Sequence, residues 1–227
     1  MPPEPPAPLA APAPALSPGL RWVRDSAEYR ALALQTYRTA ARAVERAAEG
    51  RAPRTWAVVA DADETVLDNS QYQRELEQGG RRHTEQEWNG WVRRREATAV
   101  PGAGEFLEKV RSLGAVIAIV TNRTEAVCQD TRENLRALSM PFDIVLCRPD
   151  QGSGDKDPRF AAIAQGSAAA GVGPVDVLAY VGDNVQDFPG LDQRIRLEPE
   201  TAFAGFGERL FLLPNPLYGS WERNPPR

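Results

Sequence analysis

The 227-residue chain is 42% hydrophobic and 26% charged, enough apolar mass for one globular α/β-sized domain with a full core. Its net charge of −4 at pH 7 excludes the strongly basic class of proteins that neutralise many phosphates, so no nucleic-acid polymer is expected as a partner. No apolar run approaches the length of a membrane span.

Residues 1–20, "MPPEPPAPLAAPAPALSPGL", are rich in Pro and Ala and read as an extended, polyproline-like linker. They show no basic region followed by an apolar run, so no secretion signal is read in them. A tether of this composition suits the link between an anchor and a domain. Order is expected from residue 21 onward. Asp25 and Glu28 form a capping box, Gly50 marks the end, and Tyr29, Leu32, Ala33, Thr36, Tyr37, Ala40, Val44 and Ala47 trace one helical face.

Four apolar runs come next in the chain: "TWAVVA" (55–60), "AVIAIV" (115–120), "FDIVLC" (142–147) and "VDVLAYV" (175–181). They lack strict alternation, as strands buried on both faces do. Helices are expected in "GAGEFLEKVRSLG", in "TEAVCQDTRENLRALS" behind Thr124, and in "DPRFAAIAQG", where Pro158 stands at a helix start. Strand and helix alternate, which predicts an α/β fold with a doubly wound parallel sheet. Between the first strand and its return helix, residues 70–100 form an insertion, read as a small helical cap. Thr84 and Glu87 make a second capping box there, ahead of Trp88 and Trp91. Three residues apart on one face, the two tryptophans cannot both be exposed, and Trp91 is taken as the one facing a ligand. Arg93, Arg94 and Arg95 read as a solvated face, and His83, the only histidine, as surface. Cys128 and Cys147 are too few and too far apart for a disulfide scaffold or a zinc knuckle. They read as two core thiols, with pairing the alternative for an exported protein.

Chemistry collects behind the strands. Asp61-Ala62-Asp63 follows the first, Thr121-Asn122-Arg123 the second, and Gly182-Asp183-Asn184 the fourth, with Asp187 four residues beyond Asp183. In open α/β sheets the ligand crevice lies at the carboxyl ends of the strands, so these groups converge at one edge. Several aspartates at one edge repel one another, and an all-oxygen set suits a hard divalent cation such as Mg²⁺. Helix capping and turn formation account for single aspartates but not for the whole set. Asp68 and Asn69 read as caps of the following helix, and Thr65 as a brace of the loop.

"DADETVLDNS", "VTNR", Lys156 in "DKDPRF" and "GDNVQDF" resemble, in order, the four motifs of the haloacid dehalogenase superfamily of phosphohydrolases. "SAEYRALALQTY", "EWNGWV" and "LPNPLYGSWE" narrow the resemblance to the class C bacterial acid phosphatases, over residues 20–222. The loop "RPDQGSGD" departs from the family in lacking additional lysines. The resemblance implies a Mg²⁺-dependent acid phosphatase of the 5′-nucleotidase type, acting on nucleoside monophosphates and other small phosphate esters through an aspartyl-phosphate. Residues 21–227 would be the phosphatase domain. Asp61 is then the nucleophile. Asp63 protonates the leaving alkoxide and then activates water, for which a neighbouring carboxylate helps it hold its proton. Asp61, the Asp63 carbonyl, Asp183 and Asp187 hold the metal, Asp187 through a bound water. Thr121, Asn122 and Lys156 bind the phosphoryl group, and Trp91 and Tyr218 sandwich a base. The resemblance further implies a homodimer, and a periplasmic or outer-membrane lipoprotein anchored by a segment outside this sequence. Two alternatives stand beside it: a surface lipoprotein that mainly captures haem or nucleotide, and a phosphotransferase of the same superfamily. No apolar pocket with an axial haem ligand is legible, and every catalytic position carries a suitable group, so the enzyme reading leads.

Overall fold

The computed structural model describes residues 15–226. The first fourteen residues of the expected linker lie outside the described residues. The linker boundary itself is corrected: α1 (Pro18–Asp25) starts inside it, with Ser17 capping the Leu20 N–H and Pro18 at the first helical position. Leu20 and Val23 are buried, and that burial, which a Pro/Ala count misses, makes the segment an ordered helix. α2 (Ala27–Ala48) follows, and its N-cap is Ser26, whose hydroxyl accepts the Tyr29 N–H, rather than Asp25. Its buried face is Tyr29, Ala33, Tyr37, Ala40, Ala43 and Val44, rotated from the expected one so that Leu32 is 42% exposed.

β1 (Trp56–Ala60) leads to β2 (Leu67–Asp68), α3 (Ser70–Gln78), α4 (Glu85–Arg94) and β3 (Thr98–Ala99). Then come α5 (Ala103–Ser112), β4 (Val116–Thr124), α6 (Cys128–Ala137), β5 (Ile144–Arg148), α7 (Asp157–Ala164), β6 (Asp176–Gly182) and β7 (Leu210–Leu212). The main sheet is parallel with order β5-β4-β1-β6-β7, which puts β1 at its centre. All of β1 is buried. Trp56, Val58 and Ala60 enter one core with α2 and α5, while Ala57 and Val59 enter the other with Phe160 and Ile163 of α7. Helices thus cover both faces, the physical reason the strands show no polar alternation.

The four expected strands are present, and two details were not read. β4 runs on through Thr121-Asn122-Arg123 to Thr124, with its register to β5 irregular between Val120 and Thr124. β7, at the edge, is three residues long, too short for a periodic signal. Residues 70–100 carry α3 and α4, and the antiparallel pairing of β2 with β3 closes the base of this cap, Leu67 opposite Ala99. Thr84 caps α4 by accepting the Glu87 N–H. The two cysteines are not free thiols: Cys128 and Cys147 form a disulfide with a Cα–Cα distance of 5.9 Å. They lie 19 residues apart in sequence, but the start of α6 packs on the end of β5, and only the fold shows this. Among the described residues no helix is long and apolar enough to cross a membrane.

Candidate active site

A cleft of about 770 Å³ opens at the carboxyl ends of the strands, between the sheet and the cap. Asp61, Asp63, Asn122, Lys156, Asp183, Asp187 and Tyr218 all line it. Asp61 leaves the central strand with its backbone N–H donated to the Val181 carbonyl, which fixes where its side chain begins. The chain then turns sharply: the N–H groups of Val66 and Leu67 both bond the Ala62 carbonyl, and Glu64 takes a left-handed conformation at φ 54°. Asp183 follows β6 directly, and Asp187 ends a short 3₁₀ turn (Val185–Asp187). Gly182 is obligatory here, because a Cβ on it would lie 2.3 Å from the Asp187 Cβ.

The carboxylates of Asp61, Asp183 and Asp187 meet, each with an oxygen within 4.8 Å of the others. Lys156, 3% exposed at the start of α7, donates to Asp61 Oδ1 and to Asp187 Oδ1, the latter at 2.7 Å. Asp187 Oδ2 accepts the Asn184 N–H, and Asp183 accepts from Thr65 Oγ1 and from Asn215 Nδ2. Three carboxylates therefore face one buried ammonium. Burial pushes the Asp61 carboxyl up to about 7; Lys156 opposes the rise, and Asp187 and Asp63 add to it. Asp183 is held well above the usual carboxylate range by burial, then by Asp187 and Asp61. Burial lowers the Lys156 ammonium, but Asp187 and Asp61 outweigh it and keep the group firmly charged. Such a surplus of buried negative charge fits an oxygen-ligated divalent cation. Asp61, Asp183 and Asp187 are the residues that would hold it.

A chain with these features matches a known family. The family model described as HAD superfamily, subfamily IIIB (acid phosphatase) covers residues 12–221. The chain belongs to this acid phosphatase family. Its fold agrees with that of the class C acid phosphatase from Bacillus anthracis, at a TM-score of 0.80 and 29% identity over 90% of this chain and 85% of that one. The same enzyme solved with tungstate bound aligns at a TM-score of 0.80 and 30% identity, over the same shares of both chains. The fold is therefore the haloacid dehalogenase-like α/β sheet, and the chain is a phosphoric monoester hydrolase acting on small phosphorylated substrates.

Within this acid phosphatase two expected ligand contacts are corrected. Trp91 is 2% exposed, does not line the cleft, and donates its Nε1–H to Asn69 Oδ1 at 2.8 Å. Trp88, one turn earlier, lines the cleft in its place. The two do differ in burial as their spacing demands, with the roles exchanged. Thr121 is fully buried and does not line the cleft; its Oγ1 accepts the Arg123 N–H at 3.1 Å. Asn122 Oδ1 accepts from Arg159, which also donates to the Thr121 carbonyl at 2.6 Å. His83 is exposed as expected; it also lines the cleft, with its Nδ1 3.0 Å from Tyr72 Oη. Asp68 accepts the Ser70 N–H at the start of α3 as expected, whereas Asn69 makes no side-chain cap and turns to Asp63.

Sequence reasoning missed Arg123 as a functional residue. It is 1% exposed and places Nε 2.9 Å and Nη2 2.7 Å from Asp63 Oδ1. Its position directly after Thr121 and Asn122 was the available signal. Asn215 was missed as well, since nothing in "PNP" announces a reach to Asp183 from the far end of the chain.

Proposed function

We propose that this acid phosphatase is a Mg²⁺-dependent 5′-nucleotidase that cleaves nucleoside monophosphates and similar small esters through an aspartyl-phosphate on Asp61. The observation that carries the proposal is the setting of Asp61: buried at the end of the central strand, among Asp183, Asp187 and Lys156, in a cleft with room for a nucleotide. Asp61 attacks phosphorus, so that a carboxylate–phosphorus bond forms as the ester P–O bond breaks. Asp63 gives its proton to the leaving alkoxide, then takes one from the water that hydrolyses the acyl phosphate. Lys156, in contact with the Asp61 carboxylate, stays charged and holds a phosphoryl oxygen as negative charge shifts. The Asn122 amide lines the cleft beside it. A divalent cation held by Asp61, Asp183 and Asp187 would offset their buried negative charge and supply Lewis-acid polarisation of the phosphoryl group.

Trp88 and Tyr218 both line the cleft, and we assign base stacking to them. The disulfide is the strongest support for an exported, periplasmic or membrane-anchored protein, since such bonds persist in oxidising compartments. A homodimer would use the exposed apolar groups Leu32 of α2 and Trp221 of the C-terminal tail, 42% and 44% exposed. The test is phosphate release from nucleoside monophosphates and simple esters, before and after chelation. Activity that vanishes on metal removal and returns with Mg²⁺ supports the proposal; full activity in exhaustively metal-free protein defeats it.

A further inference from the structure

We propose that Trp91, Asn69 and Arg123 form a positioning relay that aims the Asp63 carboxyl group and ties the cap to the proton-transfer step. The proposal rests on the assignment of Asp63 as the acid–base group. Asn69 is the hub. It is fully buried, and its amide orientation is dictated by its neighbours. Its Oδ1 accepts from Trp91 Nε1 at 2.8 Å and from Arg123 Nη2 at 3.1 Å, so its Nδ2 must face the other way, where it donates to Asp63 Oδ1 at 2.9 Å. The backbone is pinned too, because the Asn69 N–H donates to Glu64 Oε1 at 2.9 Å.

Arg123 closes the ring from the sheet side. Its Nε and Nη2 approach the same Asp63 Oδ1, and its Nη1 donates to Thr131 Oγ1 at 3.3 Å. Thr131 in turn donates to the Val127 carbonyl ahead of α6. The Arg123 guanidinium also lies 5.5 Å from the Trp88 ring centroid, so both cap tryptophans touch the relay. Two hydrogen bonds, from Asn69 Nδ2 and Arg123 Nε, and the ion-pair contact of Arg123 Nη2 thus meet at Oδ1 of Asp63. The proton for the leaving alkoxide therefore belongs on Oδ2, and the relay sets the direction in which that oxygen points. Placing the acid matters because small misplacements of a catalytic group cost rate steeply. Trp91, one turn from a cleft-lining residue, acts on the reaction through Asn69 and not by touching substrate.

A relay that aims a general acid has a signature that packing alone lacks. An alkyl phosphate leaves as a basic alkoxide and needs the proton, whereas 4-nitrophenyl phosphate leaves as a stable phenolate and does not. The readout is the ratio of kcat/KM for glycerol phosphate to kcat/KM for 4-nitrophenyl phosphate, which reports the steps through departure of the leaving group. Asp63→Asn is the reference and should lower this ratio by about 10²–10⁴-fold. Trp91→Phe keeps an aromatic side chain, smaller than the indole, and deletes the N–H; Arg123→Lys keeps the charge and deletes the fork. Each should lower the ratio by about tenfold or more, with unchanged circular dichroism. Should Arg123→Lys fail to fold, Trp91→Phe decides alone. An unchanged ratio in folded Trp91→Phe, beside a lowered one in Asp63→Asn, overturns the relay and leaves the acid assignment standing. An unchanged ratio in Asp63→Asn itself overturns the acid assignment, and the relay with it.

Discussion

Reducing the Cys128–Cys147 disulfide should destabilise the protein by an amount the fold makes calculable. The bond closes a loop with a sequence separation of 19 and ties the first turn of α6 to the end of β5. Opening such a loop returns to the unfolded chain about 11 cal/mol/K of entropy, or about 3 kcal/mol at 25 °C. For a chain of this size each kcal/mol moves the melting temperature by about 2–4 °C, so a fall of about 6–12 °C is expected. Both sulfurs are nearly inaccessible, with Cys128 1% and Cys147 6% exposed, so reductant must be added during partial unfolding and removed afterwards. Thermal unfolding of oxidised and reduced protein, with thiol labelling to count free cysteines, measures the effect. A reduced protein that melts within about 1 °C of the oxidised one would refute the reasoning. Two labelled thiols in protein made in an oxidising compartment would remove its basis.

Truncating the cleft aromatics separates stacking from packing. Trp88→Ala or Tyr218→Ala should cost about tenfold or more in kcat/KM on a nucleotide, the low end of base–aromatic stacking, and clearly less on glycerol phosphate. Equal losses on both substrates would return these residues to packing. Asp143 predicts a pH effect on stability: burial pushes its carboxyl up, but the Ile117 N–H, Arg54 and Arg111 outweigh it and leave it below its ordinary value. A depressed folded value means the stabilisation is complete above the unfolded value, about pH 4, and is lost as pH falls through the folded one. Asp143→Asn should therefore cost about 1–2 kcal/mol at neutral pH in denaturant titrations, with the gap to wild type closing below about pH 4.

The sheet was legible because its strands are buried on both faces: the continuous apolar runs at 55–60 and 175–181 became β1 and β6 almost residue for residue. The acids were legible for a related reason. A parallel sheet delivers the residues behind its strands to one edge, and Asp61 and Asp183 come immediately after β1 and β6. The features that stayed hidden were decided by tertiary contact. Helical spacing showed that Trp88 and Trp91 could not both face solvent, but only the Asn69 carbonyl, waiting for the indole N–H, decides which is buried. The disulfide and the Asn215–Asp183 contact join segments distant in sequence that no local pattern relates. Arg123 looked like part of a motif, and its contact with Asp63 appears only in the fold.

The central claim, that Asp61 carries the phosphoryl group, is tested most directly by phosphate release from purified Asp61→Asn with Mg²⁺ present. The asparagine keeps the shape of the side chain and cannot serve as the carboxylate nucleophile. The account predicts no release above background from a variant whose circular dichroism matches wild type, while acid-quenched wild type carries a phosphoryl group on the peptide containing Asp61. Substantial phosphate release by the folded variant would contradict it.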